Sequence, residues 1–161
     1  MSLKGFQARN HPQQSTNPVV DDWETDPKVF AEFHERFEFT IDVAASDRNA
    51  KLDRYYTIED DGLRQDWSGE RVWCNPPYSN IRPWVMKAHL EHLAACVVML
   101  LPANRTEQGW WQDLIEPFRR HQRDLKVEFL RGRMRFIAHD DTEIRPNARP
   151  PFGVCLVIWG S

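Results

Sequence analysis

The sequence has no excess of positive charge and no long apolar stretch. Its 161 residues carry 21 Lys and Arg against 24 Asp and Glu, which gives a formal net charge of −3. A nucleic-acid-binding protein of this composition needs a local basic patch, because its overall charge does not attract phosphate. No signal peptide and no apolar run of membrane-spanning length is visible, so we expect a soluble cytoplasmic protein without a membrane partner.

Cysteine is also scarce. The three cysteines, Cys74, Cys96 and Cys155, each lie in an apolar, strand-like run. They are predicted to be small buried hydrophobic residues, and neither a disulfide framework nor a metal site. His89 and His92 share one helical face, but no further clear ligands follow them, so we predict no metal centre.

The chain length allows one domain with a single core. Residues 1–20 lack hydrophobic periodicity and include a polar, proline-containing stretch. We therefore predict a flexible leader over residues 1–20 and one domain over residues 21–161. Asp26 and Pro27 have the character of a helix cap and a first helical residue, and apolar residues at helical spacing follow them.

Apolar runs and amphipathic stretches alternate along the rest of the domain. Residues 96–101 form a continuous apolar run, typical of a strand buried on both faces of a parallel sheet. Residues 106–118 are predicted to form one amphipathic helix, with one of Trp110 and Trp111 in the core and the other exposed. Residues 152–159 are predicted to form the last strand, antiparallel to the one before it.

The sequence Val-Trp-Cys-Asn-Pro-Pro-Tyr-Ser at residues 72–79 predicts a strand that ends abruptly. Pro76 and Pro77 fix φ and cannot donate to a sheet ladder, so they form a rigid shelf at the carboxyl end of the strand. Ligands bind at this edge of open α/β sheets. The Asn75 side-chain oxygen and the Pro76 carbonyl could accept both N–H groups of an exocyclic amine, and Tyr78 could stack on the base. The alternative is a Pro-Pro turn with a surface tyrosine.

The Asn-Pro-Pro-Tyr sequence resembles the catalytic motif of amino-directed, S-adenosylmethionine-dependent DNA methyltransferases, chiefly of the adenine-N6 type. Further motifs are similar, in order, to the compact phage-type DNA N-6-adenine methyltransferase (Dam) family, namely residues 23–27, 39–46, 61–63, 66–67, 101–103, 110–111 and 131–136. One departure is Glu38, where the family commonly has Gly. The resemblance implies an α/β, single-domain, trimmed Rossmann-like methyltransferase fold with a mostly parallel sheet and an antiparallel last strand.

The same resemblance implies an adenine-specific DNA methyltransferase. Such an enzyme transfers a methyl group from S-adenosylmethionine to the N6 amine of adenine in double-stranded DNA. The target base leaves the helix and reaches the shelf, whose Asn75, Pro76, Pro77 and Tyr78 are then the catalytic residues. The resemblance further implies a phage or prophage origin, action in the bacterial cytoplasm, and a role in restriction-modification or anti-restriction.

The resemblance also implies a set of cofactor-binding residues, which are Thr25, Asp42, Ala44, Ala45, Ser46 and Asp66. The turn that contains the two alanines is poor in glycine. Small side chains still allow a ligand to approach closely, but no glycine offers a positive φ. An acid for the cofactor ribose belongs at the end of a second strand, where Glu59, Asp60 and Asp61 are the candidates. The alternative for each acid is a solvated carboxylate or a helix cap.

Three arginines alternate with apolar residues near the end of the chain. Arg131, Arg133 and Arg135 are predicted to point to one side of a strand extension, and Met134 and Phe136 to the other. Because the arginine fork matches phosphate oxygens, we predict that they bind DNA, and the resemblance favours Arg133. The alternative is a solvated strand face.

Three other functions fit some of these residues. Cytosine-N4 methyltransferases use nearly the same shelf, although their motif more often begins with Ser. Enzymes that methylate a protein glutamine amide also carry Asn-Pro-Pro-Tyr, but their chain order differs. The glycine-poor turn leaves open a non-catalytic nucleic-acid-binding relative that has lost cofactor binding. Only the loops at residues 80–82, 104–109 and 138–150 are predicted to be available for contacts to DNA bases.

Overall fold

Twelve short elements make up the part of the chain that the computed structural model describes, which is residues 24–91, 93–121, 125–134, 136–137 and 152–160. The predicted leader and the loop at 138–150 lie outside these residues. The elements are β1 (Glu24–Thr25), α1 (Pro27–Phe37), β2 (Ile41–Asp42), a 3₁₀ turn (Gly62–Arg64), β3 (Arg71–Cys74), α2 (Arg82–Leu90), β4 (Cys96–Pro102), α3 (Gly109–Leu114), α4 (Glu116–Arg119), β5 (Leu125–Phe129), β6 (Phe136–Ile137) and β7 (Val154–Gly160).

Five strands form one mixed sheet in the order β2-β3-β4-β7-β5. Strands β2, β3 and β4 run parallel to each other, and β7 runs antiparallel to both β4 and β5. The predicted fold class is therefore confirmed, with an antiparallel last strand inserted in an otherwise parallel sheet. The parallel register, in which Asp42 pairs with Trp73 and Cys74 with Met99, brings the carboxyl ends of three strands to one edge.

Helices cover both faces of the sheet, because successive side chains of a strand point to opposite faces. On one face, aromatic residues of α1 pack with Trp73, Val98 and Leu156. On the other, residues of α2 and α3 pack with Val97 and Met99. The strand β4 is buried along its whole length, as its apolar run predicts. Within the described ranges, no helix is both long enough and apolar enough to cross a bilayer.

Helix α1 begins and ends as local chemistry requires. Asp26 Oδ1 accepts a hydrogen bond from Lys28 N at 2.9 Å, and Pro27 occupies the first helical position, so the predicted start is confirmed. The helix ends at Glu38, whose φ of 53° and ψ of 55° are left-handed. Glycine is the residue that adopts this conformation without steric cost, so Glu38 is a strained cap.

The prediction of one helix over residues 106–118 is wrong. Two short helices occupy this stretch, and they are separated by Ile115, whose φ is −116°. Pro117 lacks an N–H group and cannot continue the ladder of α3. Both Trp110 and Trp111 are buried, so the expectation of one exposed ring is also wrong. Their indole N–H groups donate to side chains nearby, which allows both rings to enter the core.

The prediction that β5 extends through the three arginines is wrong as well. Strand β5 ends at Phe129, and Gly132 has a φ of 70°, which turns the chain out of the sheet. Residues Phe136–Ile137 then form β6, which pairs antiparallel with β1 in a separate two-stranded ribbon. This ribbon brings Thr25 opposite Phe136, although more than half of the chain lies between them in sequence.

Candidate active site at the carboxyl edge of the sheet

The candidate site lies where β2, β3 and β4 end side by side. Asp42 ends β2, Asn75 follows β3 directly, and the loop that contains Arg105 follows β4. Val43 N still donates to Trp73 O at 3.1 Å, so the chain stays in register up to the edge. Ligands of open α/β sheets bind at this edge because the strand ends and following loops converge there.

The Asn75 amide has a fixed orientation. Its Nδ2 donates to Thr25 Oγ1 at 3.1 Å, and Thr25 is 1% exposed. With the nitrogen on the Thr25 side, the amide oxygen points the other way. The sequence assigned Thr25 to the cofactor, whereas the structure brings its hydroxyl against the predicted catalytic amide.

Tyr78 is buried rather than displayed on the shelf. Its side chain is 2% exposed, its ring lies 6.0 Å from the ring of Phe152, and its hydroxyl donates to Leu100 O at 3.1 Å. Burial raises the pKa of Tyr78, which keeps the phenol neutral and able to donate. The expectation of an open stacking face therefore does not describe this arrangement, because the core cluster beneath the shelf already covers the ring. Pro76 is also buried, and Pro77 is half-buried.

Arg105 is a residue of this edge that the sequence-based assignment missed. Its Nη1 donates to the Tyr78 carbonyl at 2.5 Å, and its side chain is half-buried. The contact joins the loop after β4 to the Asn-Pro-Pro-Tyr loop. The available signal was the position of Arg105 in a loop predicted to lie on the same edge.

The turn after β2 is organised by Asp42. Asp42 Oδ1 accepts from Ala44 N at 3.3 Å, and Oδ2 accepts from Lys51 N at 3.1 Å. Burial raises the pKa of this carboxyl to about 6, although the two backbone N–H groups and the Lys51 charge act in the opposite direction. The buried Asp42 carboxylate therefore holds the backbone of the turn in place. We expect it to affect ligand binding through the conformation of this backbone.

The absence of glycine from this turn is explained by its backbone. Among the described residues, positive φ in a non-glycine residue occurs only at Glu38 and Asp61, so Ala44 and Ala45 need no left-handed conformation. Ser46 N donates to Asn49 Oδ1 at 2.7 Å, and Asn49 N donates to Ser46 Oγ at 3.2 Å, which closes one helical turn. A turn lined by such small side chains fits the close approach of a cofactor.

Gly62 gives a structural reason for the Asp-Gly-Leu sequence at residues 61–63, one of the stretches that resemble the family. A Cβ atom at Gly62 would lie 2.1 Å from the carbonyl oxygen of Val43, which follows β2. Only glycine allows the 3₁₀ turn to contact the strand end this closely. The motif therefore supports the turn after β2 through packing.

The predicted second-strand acids have partners in their own turn. Tyr55 forms a bridge with Asp42, so the chain before these acids does run beside β2. Asp60 Oδ2 accepts from Thr57 N at 2.8 Å, and Glu59 Oε2 accepts from Thr57 Oγ1 at 3.0 Å. Asp61, with a φ of 56°, pairs with Arg64. The assignment of one of these acids to the cofactor ribose stays a prediction.

Asp66 accepts hydrogen bonds within its own turn. It is exposed, and its Oδ1 accepts from Ser68 Oγ at 2.6 Å and from Ser68 N at 2.9 Å. These bonds lower the pKa of Asp66. The structure thus places Asp66 in a local turn before β3, and its assignment to the cofactor stays a prediction.

The arginines predicted to bind DNA are exposed where the structure describes them, whereas His89 packs against another ring. Arg131 and Arg133 are exposed and Met134 is buried, but Gly132 is exposed as well and these residues form no strand, so binding of the arginines to DNA stays a prediction. Arg135 and His92 lie outside the described residues. The ring of His89 packs 4.3 Å from that of Phe118, and no metal-binding group of side chains occurs among the residues that the structure describes.

Comparisons with known proteins agree with this geometry. The family model described as DNA N-6-adenine-methyltransferase (Dam) matches residues 13–160. The chain is 36% identical over 98 residues to the DNA N-6-adenine-methyltransferase of Haemophilus phage HP1 (strain HP1c1), covering 58% of this chain and 56% of that protein. It is 33% identical over 117 residues to the DNA N-6-adenine-methyltransferase of Escherichia phage T1, and this match covers 70% of this chain and 48% of that protein. The chain thus spans about half the length of these curated relatives.

A likeness among solved structures concerns the fold alone. The crystal structure of a proposed RNA methyltransferase from Pyrococcus horikoshii matches with a TM-score of 0.53 and 11% sequence identity. The match covers 100% of this chain and 98% of that chain. The likeness shows a methyltransferase fold.

Proposed function

The chain belongs to the DNA N-6-adenine-methyltransferase (Dam) family, and we propose that it methylates the exocyclic N6 amine of adenine in DNA with S-adenosylmethionine as the methyl donor. The observation that carries the proposal is the Asn75 amide, directed by Thr25 at the end of a parallel strand and followed by Pro76 and Pro77. The substrate in this proposal is double-stranded DNA, from which the target base is flipped to the shelf.

The proposed chemistry needs two acceptors for one amine. The Asn75 oxygen and the Pro76 carbonyl accept the two N–H groups of the target amine, which draws its nitrogen toward a tetrahedral geometry and exposes the lone pair. These interactions strengthen as the nitrogen attacks, so they lower the barrier more than they increase substrate binding. After transfer the methylated nitrogen loses one proton to water, while the carbonyl acceptors at the edge only accept hydrogen bonds.

The proposed cofactor site is the turn that Asp42 organises. S-adenosylmethionine, when bound, supplies an electrophilic sulfonium methyl group. Ala44, Ala45 and Ser46 offer small side chains and a fixed backbone for it, beside the strand end that carries Asn75. The turn and the amide follow neighbouring strands, so the edge would align donor and amine, and alignment is a large source of rate.

The proposed DNA contacts come from the exposed Arg131 and Arg133. Neither forms an ion pair with another residue that the structure describes, and their guanidinium forks match phosphate oxygens. Base stacking on Tyr78 requires that one face of its ring be uncovered first.

The test compares the parent protein with an Asn75→Ala variant, using radiolabelled S-adenosylmethionine, unmethylated DNA and nucleoside analysis. We expect labelled N6-methyladenine from the parent. The variant should lose most of the turnover but little of the DNA affinity, the pattern of an interaction made mainly in the transition state. Label on cytosine would assign the N4 reaction, label on protein the glutamine reaction, and an Asn75→Ala variant as active as the parent would refute the mechanism.

A further inference from the structure

A chain of contacts through Glu24 and Lys51 joins the turn after β2 to the Asn75 amide. Lys51 N donates to Asp42, and Lys51 Nζ lies 2.7 Å from Glu24 Oε1. The next residue after Glu24 is Thr25, whose hydroxyl accepts from Asn75 Nδ2 at 3.1 Å. The ion pair thus spans the distance between two segments that must be aligned for methyl transfer.

We propose that the Glu24–Lys51 ion pair is a positioning device that holds Thr25 against Asn75 and so sets the orientation of the catalytic amide relative to the cofactor turn. The inference rests on the proposed function, because a fixed amide affects turnover only if Asn75 acts on the target amine. Glu24 and Lys51 touch neither the amine nor the cofactor in this proposal, and they act through their neighbours.

The environment of this pair differs from that of the exposed ion pairs. The side chains of Lys51 and Glu24 are 8% and 15% exposed, whereas those of Arg36 and Glu128 are 51% and 36% exposed. A buried charge is costly unless it is paired, so each partner restricts the other to one geometry. Exposed pairs are screened by water and restrict little.

The ribbon that carries Thr25 needs such an attachment. Strand β1 has two residues, and its ladder consists of Glu24 opposite Ile137 and Thr25 opposite Phe136. A two-stranded ribbon is marginally stable alone. Lys51 attaches β1 to the segment after β2. In the similarly buried pair of Lys87 and Glu91 the two charges lie one helical turn apart, so the ion pair itself links no separate segments, and Lys87 reaches Gln65 through a backbone carbonyl instead.

The main test replaces both charges together, as Glu24→Leu/Lys51→Met. Replacing both members of a buried ion pair with apolar residues is often neutral or stabilising, so this variant keeps the fold while it removes the directional contact. The control is Arg36→Gln/Glu128→Gln, which removes an exposed pair between α1 and β5, the strand at the opposite edge of the sheet from β2. Urea unfolding establishes that all proteins compared are folded.

Two measurements decide the proposal. The first is the solvent exchange of the Asn75 side-chain amide protons by NMR, which needs no methyl transfer and should be at least several-fold faster in the apolar variant. The second is turnover with DNA, which should fall by about 10- to 100-fold, since misplacing a reacting group by about 1 Å costs up to about 100-fold. DNA affinity should stay within about two-fold, and the control should match the parent in each measurement.

Two outcomes overturn the inference. If the apolar variant is folded and keeps the amide exchange and the turnover of the parent, the pair has only a structural role. If it does not fold, Lys51→Met alone replaces it, because this change removes the ammonium group that contacts Glu24 Oε1; parental exchange and turnover in that variant would also refute the inference. A parent that shows the protected Asn75 amide but methylates no DNA would refute the proposed function while leaving the positioning geometry established.

Discussion

Acidification from pH 7 to pH 5 is expected to relieve a destabilising cost at one residue, Asp42. In the folded protein its pKa is raised from 3.8 to about 6, chiefly because the carboxyl is buried. Because the pKa of Asp42 is higher in the folded protein than in the unfolded chain, protonation of this carboxyl stabilises the fold. The stabilisation is fully present below pH 3.8, the unfolded pKa, and is lost as the pH rises through about 6. The pH window of the effect is therefore about 3.8 to 6.

The size of the effect follows from linkage. A shift from 3.8 to about 6 corresponds to about 3 kcal/mol across the whole window, since one unit of pKa is about 1.4 kcal/mol. Between pH 7 and pH 5 the folded protein takes up most of a proton at Asp42 while the unfolded chain does not. We expect this residue alone to contribute roughly 1 kcal/mol of added stability over that interval.

The assay is urea unfolding at pH 7, 6 and 5, monitored through the fluorescence of the seven tryptophans. The contribution of Asp42 is isolated as the difference in unfolding free energy between the parent and Asp42→Asn, because the other acids are common to both. Asp66→Asn is the matched control. The folded pKa of Asp66 is lowered, so the parent-minus-Asp66→Asn difference should not rise as the pH falls.

A flat difference between the parent and Asp42→Asn from pH 7 to pH 5 would refute this account of the turn. It would mean that water reaches the carboxyl and that its pKa is ordinary. The same geometry changes what Asp42→Ala is expected to do. That variant leaves the N–H groups of Ala44 and Lys51 without their acceptor, so it should lose stability as well as cofactor affinity.

Three further predictions concern DNA binding and stability. Replacing Arg131 and Arg133 with Gln should lower the slope of log affinity against log salt by about 0.9 per lost phosphate contact, measured by fluorescence anisotropy on duplex DNA; an unchanged slope would leave them as solvated side chains. Tyr78→Phe should lose about 1 kcal/mol in urea unfolding through the bond to Leu100 O, and Tyr78→Ala about 3–5 kcal/mol; equal stability of all three proteins would contradict a buried ring. Glu38→Gly should raise stability by about 0.5–1 kcal/mol, whereas Glu38→Ala should give no such gain, because alanine keeps the left-handed strain.

Elements defined by local signals were predictable from the sequence. The start of α1 depends on Asp26 and Pro27, which are adjacent, and the end of β3 depends on Pro76. The buried strand β4 follows from an uninterrupted apolar run. In each case the residues that decide the structure lie within one turn or one strand of each other, so no knowledge of the tertiary fold is needed.

Elements defined by distant contacts were not predictable. The hydroxyl of Thr25 meets an amide 50 residues away, and Lys51 meets a carboxylate 27 residues away. The paired tryptophans are both buried because Gln108 and Glu116 accept their N–H groups, which periodicity alone does not reveal. The sequence therefore located the proposed catalytic motif but not the side chains that orient its amide.

Tyr78 illustrates how burial changes the interpretation of a motif residue. Stacking with a flipped base is worth about 1–3 kcal/mol, and losing the hydrogen bond to Leu100 O costs about 1 kcal/mol, to which the exposure of apolar ring surface is added. The free energy gained by stacking is similar to the free energy lost when one face of the ring is uncovered, so the net cost of uncovering that face as a base arrives is close to zero. The ring can then contribute to turnover without being exposed beforehand. If the ring does contribute, Tyr78→Phe should lose stability but keep most of its turnover. The hydroxyl stabilises the fold through its bond to Leu100 O, whereas the ring face stacks with the base.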